Sequence, residues 1–174
     1  MKNRRIKAAI AAILTLLSAV YILAACSKKE EEGDYKKEIN TQEIATTLSQ
    51  KTPTASAWIN EDQYFIEEYV DIPDYIKESS IYYAKNTNDL DEFGIFLVEE
   101  GKEKATRLLL LQGYLQKRYT ENQEWYNSYM PTETPKLRDA EVRIYGNCVV
   151  YAVLSAEQRT TFFAECEKLL KEQK

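Results

Sequence analysis

Histidine is missing from all 174 residues, and this absence excludes more chemistry than any single residue present suggests. Without imidazole the commonest general base and the usual ligand of zinc and copper sites are gone. Ser-His-Asp and Cys-His catalysis are ruled out, as is the His-Glu-x-x-His metalloprotease helix. Glycine is scarce too. The five glycines, at 33, 94, 101, 113 and 146, form neither a Gly-x-Gly-x-x-Gly turn nor a P-loop. No Ser-x-x-Lys occurs. Carboxylate-only chemistry survives, but adjacent acids such as Glu67-Glu68 and Glu99-Glu100 read as solvated ends of elements. The expectation is a protein that is not an enzyme, with no catalytic residue, no cofactor and no metal assigned.

What is present at the start of the chain is more specific. Lys2, Arg4, Arg5 and Lys7 precede an acid-free stretch, Ala8 to Ala25, which ends Leu23-Ala24-Ala25-Cys26-Ser27. A basic region, an apolar run and small residues at its exit are the parts of a secretory signal. Cysteine directly after Leu-Ala-Ala has the form of a bacterial lipobox, so residues 1–25 are expected to be a lipoprotein signal peptide and Cys26 the site of acylation. An uncleaved anchor or a plain cleaved signal would also export the rest, because the positive flank stays inside. The expected location is the extracytoplasmic face of the cell membrane, with the acyl chain as the membrane partner.

Basic charge is in short supply beyond that point. Removing residues 1–25 leaves 19 basic and 28 acidic side chains, a formal charge of −9. No basic cluster remains to neutralise phosphates, so nucleic acid is not an expected partner. Ser27 to Glu38 is polar and nearly without apolar residues, and 26–38 reads as the lipidated cysteine plus a solvated tether. Fully extended, such a segment reaches about 40 Å.

Residues 39–174 suit one domain. Thr41, Ile44, Ala45 and Leu48 predict a short helix ended by Thr52-Pro53. Trp58 to Val70 fits neither a period of two nor one of 3.6. Asp71-Ile72-Pro73 predicts a turn of helix carrying Tyr75 and Ile76. Ile81 to Ala84 and Phe93 to Val98 predict strands joined by the polar loop Lys85 to Asp91. A helix is expected over 102–129, with a buried stripe through Leu108, Leu111, Leu115, Tyr119 and Tyr126, ended by Met130-Pro131. Val142 to Tyr145 and Cys148 to Leu154 flank Gly146-Asn147, which suits a type II′ hairpin turn. Ala156 to Lys171 predicts a closing amphipathic helix. The order is two ββα units after short N-terminal helices. It predicts an α+β domain with a four-stranded antiparallel sheet and both helices packed on one face.

Three groups of side chains invite chemistry. Asp89, Asp91, Gly94 and Glu100 stand at positions 1, 3, 6 and 12 of a calcium-loop count. Phe93 at position 5 offers no oxygen there, so a polar hairpin loop is the better reading. Cys148 and Cys166 form an even pair in an oxidising compartment, open to a disulfide or to two buried apolar thiols. Thirteen tyrosines and two tryptophans are many for this length. Tyr119, Tyr126 and Tyr129 follow the helix's inner stripe, while Trp125 falls beside it. Trp125 and Tyr129 are the candidate binding surface.

The lipobox, the polar segment after it, Tyr69-Val70-Asp71-Ile72-Pro73, the strand Phe93 to Val98 before a long helix, Tyr129-Met130-Pro131-Thr132-Glu133 and the Gly146-Asn147 turn together resemble the family called domain of unknown function 4358. That family consists of mostly small lipoproteins of Firmicutes and related gut bacteria. The resemblance spans roughly residues 39–172 and implies neither an activity nor a cofactor. Cys148 stands where an aromatic would be more typical of it. The expected function is a membrane-anchored, non-catalytic binding module for an envelope protein, peptide or glycan. A glycan-directed hydrolase using carboxylates alone and a structural assembly accessory are the alternatives.

Overall fold

The computed structural model describes residues 28–30, 33–61, 71–101 and 104–171. The expected signal peptide over residues 1–25, Cys26, Glu67-Glu68 and the Tyr69-Val70 part of the family resemblance lie outside the described residues. Six strands form one sheet: β1 (Lys28–Glu30), β2 (Trp58–Glu61), β3 (Ile76–Ala84), β4 (Glu92–Val98), β5 (Glu141–Tyr145) and β6 (Cys148–Val153). Their spatial order is β1-β5-β6-β4-β3-β2. Five of them pair antiparallel, and three-residue β1 lies parallel to β5 at one edge. The helices are α1 (Thr41–Lys51), α2 (Lys104–Tyr129), α3 (Thr134–Arg138) and α4 (Ala156–Leu170).

The α+β class is as expected, but the sheet is wider than four strands and its helices cover both faces. Every residue of β4 and β6 is buried. Phe96, Val98, Val149, Tyr151 and Val153 join Leu111, Tyr114, Leu115 and Tyr126 of α2 in one core cluster. Their alternating neighbours Phe93, Ile95, Cys148, Val150 and Ala152 join Ile44 and Leu48 of α1 and Phe162, Phe163 and Cys166 of α4 in another. The continuous apolar runs Phe93–Val98 and Cys148–Leu154 are what burial on two faces requires. A sheet with one wet face would alternate.

Local signals hold elsewhere. Asn40, one residue before the expected start, caps α1, its side chain accepting from the Glu43 N–H at 2.9 Å. Ser155 and Gln158 form a capping box on α4. Gly146 takes a φ of 60° while no non-glycine residue described has a positive φ, as a type II′ turn needs. The expected helical turn after Pro73 is instead a single turn closed by the Ile76 N–H on the Pro73 carbonyl, from which β3 begins directly. The β-branched and aromatic content of Ile76–Ala84 outweighs the proline's helix-starting geometry.

The solvated tether is also corrected. Tyr35 is buried and stacks edge-on against Tyr145, with centroids 5.4 Å apart. The Lys36 N–H donates to the Leu170 carbonyl at 2.9 Å, and Asn147 donates to the Lys37 carbonyl at 2.9 Å. One tyrosine in a polar run suffices to seat this segment.

Cys148 and Cys166 are free thiols, both buried in the cluster under α4. Burial pushes both up, and for Cys166 the nearby Cys148 adds to it. The expected result is no reaction of the folded protein with a thiol reagent at neutral pH and two titratable thiols after denaturation. Finding none after denaturation would show the bridge.

Candidate functional site

The site lies where α2 passes the end of the sheet. The Tyr75 hydroxyl donates to the Thr106 carbonyl near the start of α2, while Arg118 meets Glu92 at the start of β4. The helix therefore runs back along β4 from one end of the sheet to the other. Glu92 is 1 % exposed and Arg118 7 %. Two phenols, Tyr114 and Tyr151, each donate to Glu92 Oε1 at 2.5 Å, and Arg118 Nη1 donates to Glu92 Oε2 and, at 2.8 Å, to the Tyr114 oxygen.

This network is possible because residue 94 has no side chain. Gly94 pairs with Tyr151 across the β4–β6 ladder, and a Cβ there would stand 2.4 Å from Tyr151 Cε1. Burial, then the Glu92 charge, holds both phenols well above their ordinary value. Burial works against the Arg118 guanidinium, but the Glu92 charge keeps it well above its own.

A second charged group adjoins the first. Lys136 Nζ sits 3.1 Å from Asp89 Oδ1, 2.7 Å from Asp91 Oδ1 and 2.6 Å from Glu133 Oε2. The oxygens of these three acids lie within 4.8 Å of one another, close enough to hold a metal ion, but the ammonium sits among them. Burial works to raise Asp89, yet hydrogen bonds from the Asp91 N–H, Thr54 and Lys136, together with the Lys136 charge, hold it below its ordinary value. The calcium-loop count is thus redirected. Asp89 and Asp91 converge with Glu133, whereas Gly94 lies within strand β4 and Glu100 is exposed and paired with Lys37.

Above these groups is a cavity of about 260 Å³, lined in part by Tyr83, Leu90, Arg118, Trp125, Tyr126 and Met130. Trp125 and Tyr129 are 51 % and 73 % exposed. Their rings lie 5.5 Å apart at 36°, and Trp125 meets Tyr126 edge-on at 5.4 Å. The two candidate binding residues therefore stand together, with Trp125 on the cavity wall. Tyr126 is buried and Tyr119 half-buried as their stripe predicts, whereas Tyr129 has left it. A larger hollow of about 680 Å³ lies between Gly33–Lys37 and the turns at Gly101 and Gly146. Its lining carries the exposed Lys37–Glu100 pair and no buried charge.

Sequence reasoning missed Glu92, Arg118, Tyr114 and Tyr151. The signal was there: Arg118 falls on the same helical stripe as Leu111, Leu115 and Tyr126, and a lone cation at a core position calls for a buried acid. A scan of protein-family models, a search of the curated proteins and a search of the solved structures each return no match to this chain.

Proposed function

We propose that this chain is an exported lipoprotein, anchored through Cys26 to the outer face of a bacterial cell membrane, and that its domain is a non-catalytic binding module. The resemblance to the lipoproteins of domain of unknown function 4358 belongs to the same proposal. One observation carries the binding reading. The three buried carboxylates among the described residues, Asp89, Asp91 and Glu92, are all held by internal cations, while the aromatic rim beside them is exposed. Carboxylates paired in this way are committed to internal partners rather than to a substrate. An aromatic rim over a cavity of this size suits one sugar ring or one peptide side chain.

The test is a thermal-shift screen of the chain from Ser27 onward against muropeptides, glycans and short peptides. A ligand at one hundred times its dissociation constant adds about 2.7 kcal/mol, which raises the midpoint by several degrees. The expected result is a shift with one ligand class that Trp125→Ala removes without altering the unliganded midpoint. A flat screen would move the binding reading to a protein partner. Release of reducing sugar from a glycan would replace it with the hydrolase.

A further inference from the structure

The register of β1 fixes the end of the domain from which the anchor departs. Lys28 lies opposite Val142 in parallel β5. Val142 is level with Tyr151, and Tyr151 with Gly94. Strand β1 thus begins at the end of the sheet where Glu92 opens β4. Cys26 is two residues earlier, at most about 7 Å away.

The tip of α2 passes the same end. Arg118 is level with Glu92, and the helix continues to Tyr129, which adds about 16 Å. Of the three large apolar side chains exposed among the described residues, two are Trp125 and Tyr129 at this tip, and Leu109 lies more than two turns before Arg118.

We propose that Trp125 and Tyr129 are membrane-interface side chains: with the Cys26 acyl chain in the bilayer, they lie in the headgroup layer of the same leaflet. This rests on the lipoprotein reading above. Indole and phenol rings have an apolar body and a polar tip, and they concentrate at the headgroup level for that reason. Lipid on Cys26 holds the chain to the bilayer, and a second contact fixes how the domain sits on it. Charge does not supply that contact at the tip of α2. Glu121 and Glu124 share these turns, and acids are repelled by anionic headgroups. The contact is aromatic and survives added salt. It also turns the mouth of the 260 Å³ cavity toward the membrane surface.

The test uses the full chain purified from membranes and reconstituted in phosphatidylcholine vesicles. A parallel set carries bromine, a tryptophan quencher, on the acyl chains. Trp58, the other of the two tryptophans, is half-buried and donates its indole N–H to the Thr52 carbonyl. Brominated lipid is expected to remove up to about half of the emission, the share of one interfacial tryptophan, and Trp125→Phe is expected to abolish that loss. Protein that floats with the vesicles but keeps its full emission would overturn the inference, placing the tip in water or on a protein, and leave the lipoprotein reading intact. A loss that persists in Trp125→Phe would overturn it equally, assigning the contact to Trp58. Protein that neither floats nor carries acyl mass on Cys26 would overturn both.

Discussion

Glu92→Ala is expected to destabilise the domain by about 3–5 kcal/mol, because it leaves the Arg118 guanidinium buried without its counter-charge. Tyr114 and Tyr151 lose their acceptor in the same stroke. Domains of this size have about 5–15 kcal/mol in total, so much of the variant should unfold in mild urea. Glu92→Gln keeps an acceptor but not the charge and should fall between. Removing both charges, as Glu92→Ala with Arg118→Met, should cost less than the single change, since the isolated cation is the main penalty. Urea midpoints order the three variants. A Glu92→Ala protein within about 1 kcal/mol of the parent would mean that water reaches Arg118.

The phenols add a pH signature. Both are held well above their ordinary value of 10.0, by burial first and by Glu92 second. A raised folded value stabilises the fold below the unfolded value, and that contribution is lost as pH rises beyond it. Alkaline unfolding should therefore begin above about pH 10.

Lys136→Met is the second large effect, expected at about 2 kcal/mol, less than a fully buried pair because Lys136 reaches solvent. It leaves three carboxylates facing one another with oxygens within 4.8 Å. Hydrogen bonds and the Asp91 charge raise Lys136 against the pull of burial, whereas Asp89 is lowered. The lysine's share of stability is thus complete below about pH 10.5 and lost above it. The Asp89 share is present above about pH 4 and lost as acid is added. Lys136→Met should flatten that acid limb. Added calcium should raise the thermal midpoint of the variant and leave the parent unchanged, since only the variant has a vacancy among hard oxygen ligands. Equal responses would mean that Lys136 does not occupy the carboxylate cluster.

How legible this molecule is from its residues depends on how far each signal reaches. The II′ turn at Gly146-Asn147, the end of α2 at Met130-Pro131 and the polar loop Lys85 to Asp91 are decided within a few residues, and they appear where expected. The two helical faces were written into β4 and β6 as unbroken apolar runs, but each run alone also describes an ordinary strand. Only the amphipathic demand of α1 and α4 for a second face separates the cases. The exposure of Trp125 was legible because it falls beside the inner stripe of one helix, whereas Tyr129 follows that stripe in the sequence and is nevertheless exposed. Glu92 with Arg118, and Lys136 with Asp89 and Asp91, join residues 26 to 47 positions apart. Such pairing is set by how α2 and α3 dock, which no local pattern encodes.

The docking of the N-terminal segment has a consequence for how copies of this protein behave toward one another. Strand β5 would be the sheet's edge, with a row of unsatisfied amides beside the buried Val142 and Ile144. Such an edge is a template for pairing with the next molecule. β1 occupies it, and the opposite edge is the short strand β2, of four residues. Under the lipoprotein anchoring proposed above, copies confined to a membrane surface would meet one another often. Strand β1 is thus a guard against self-association, and a version trimmed to residue 39 would lose it.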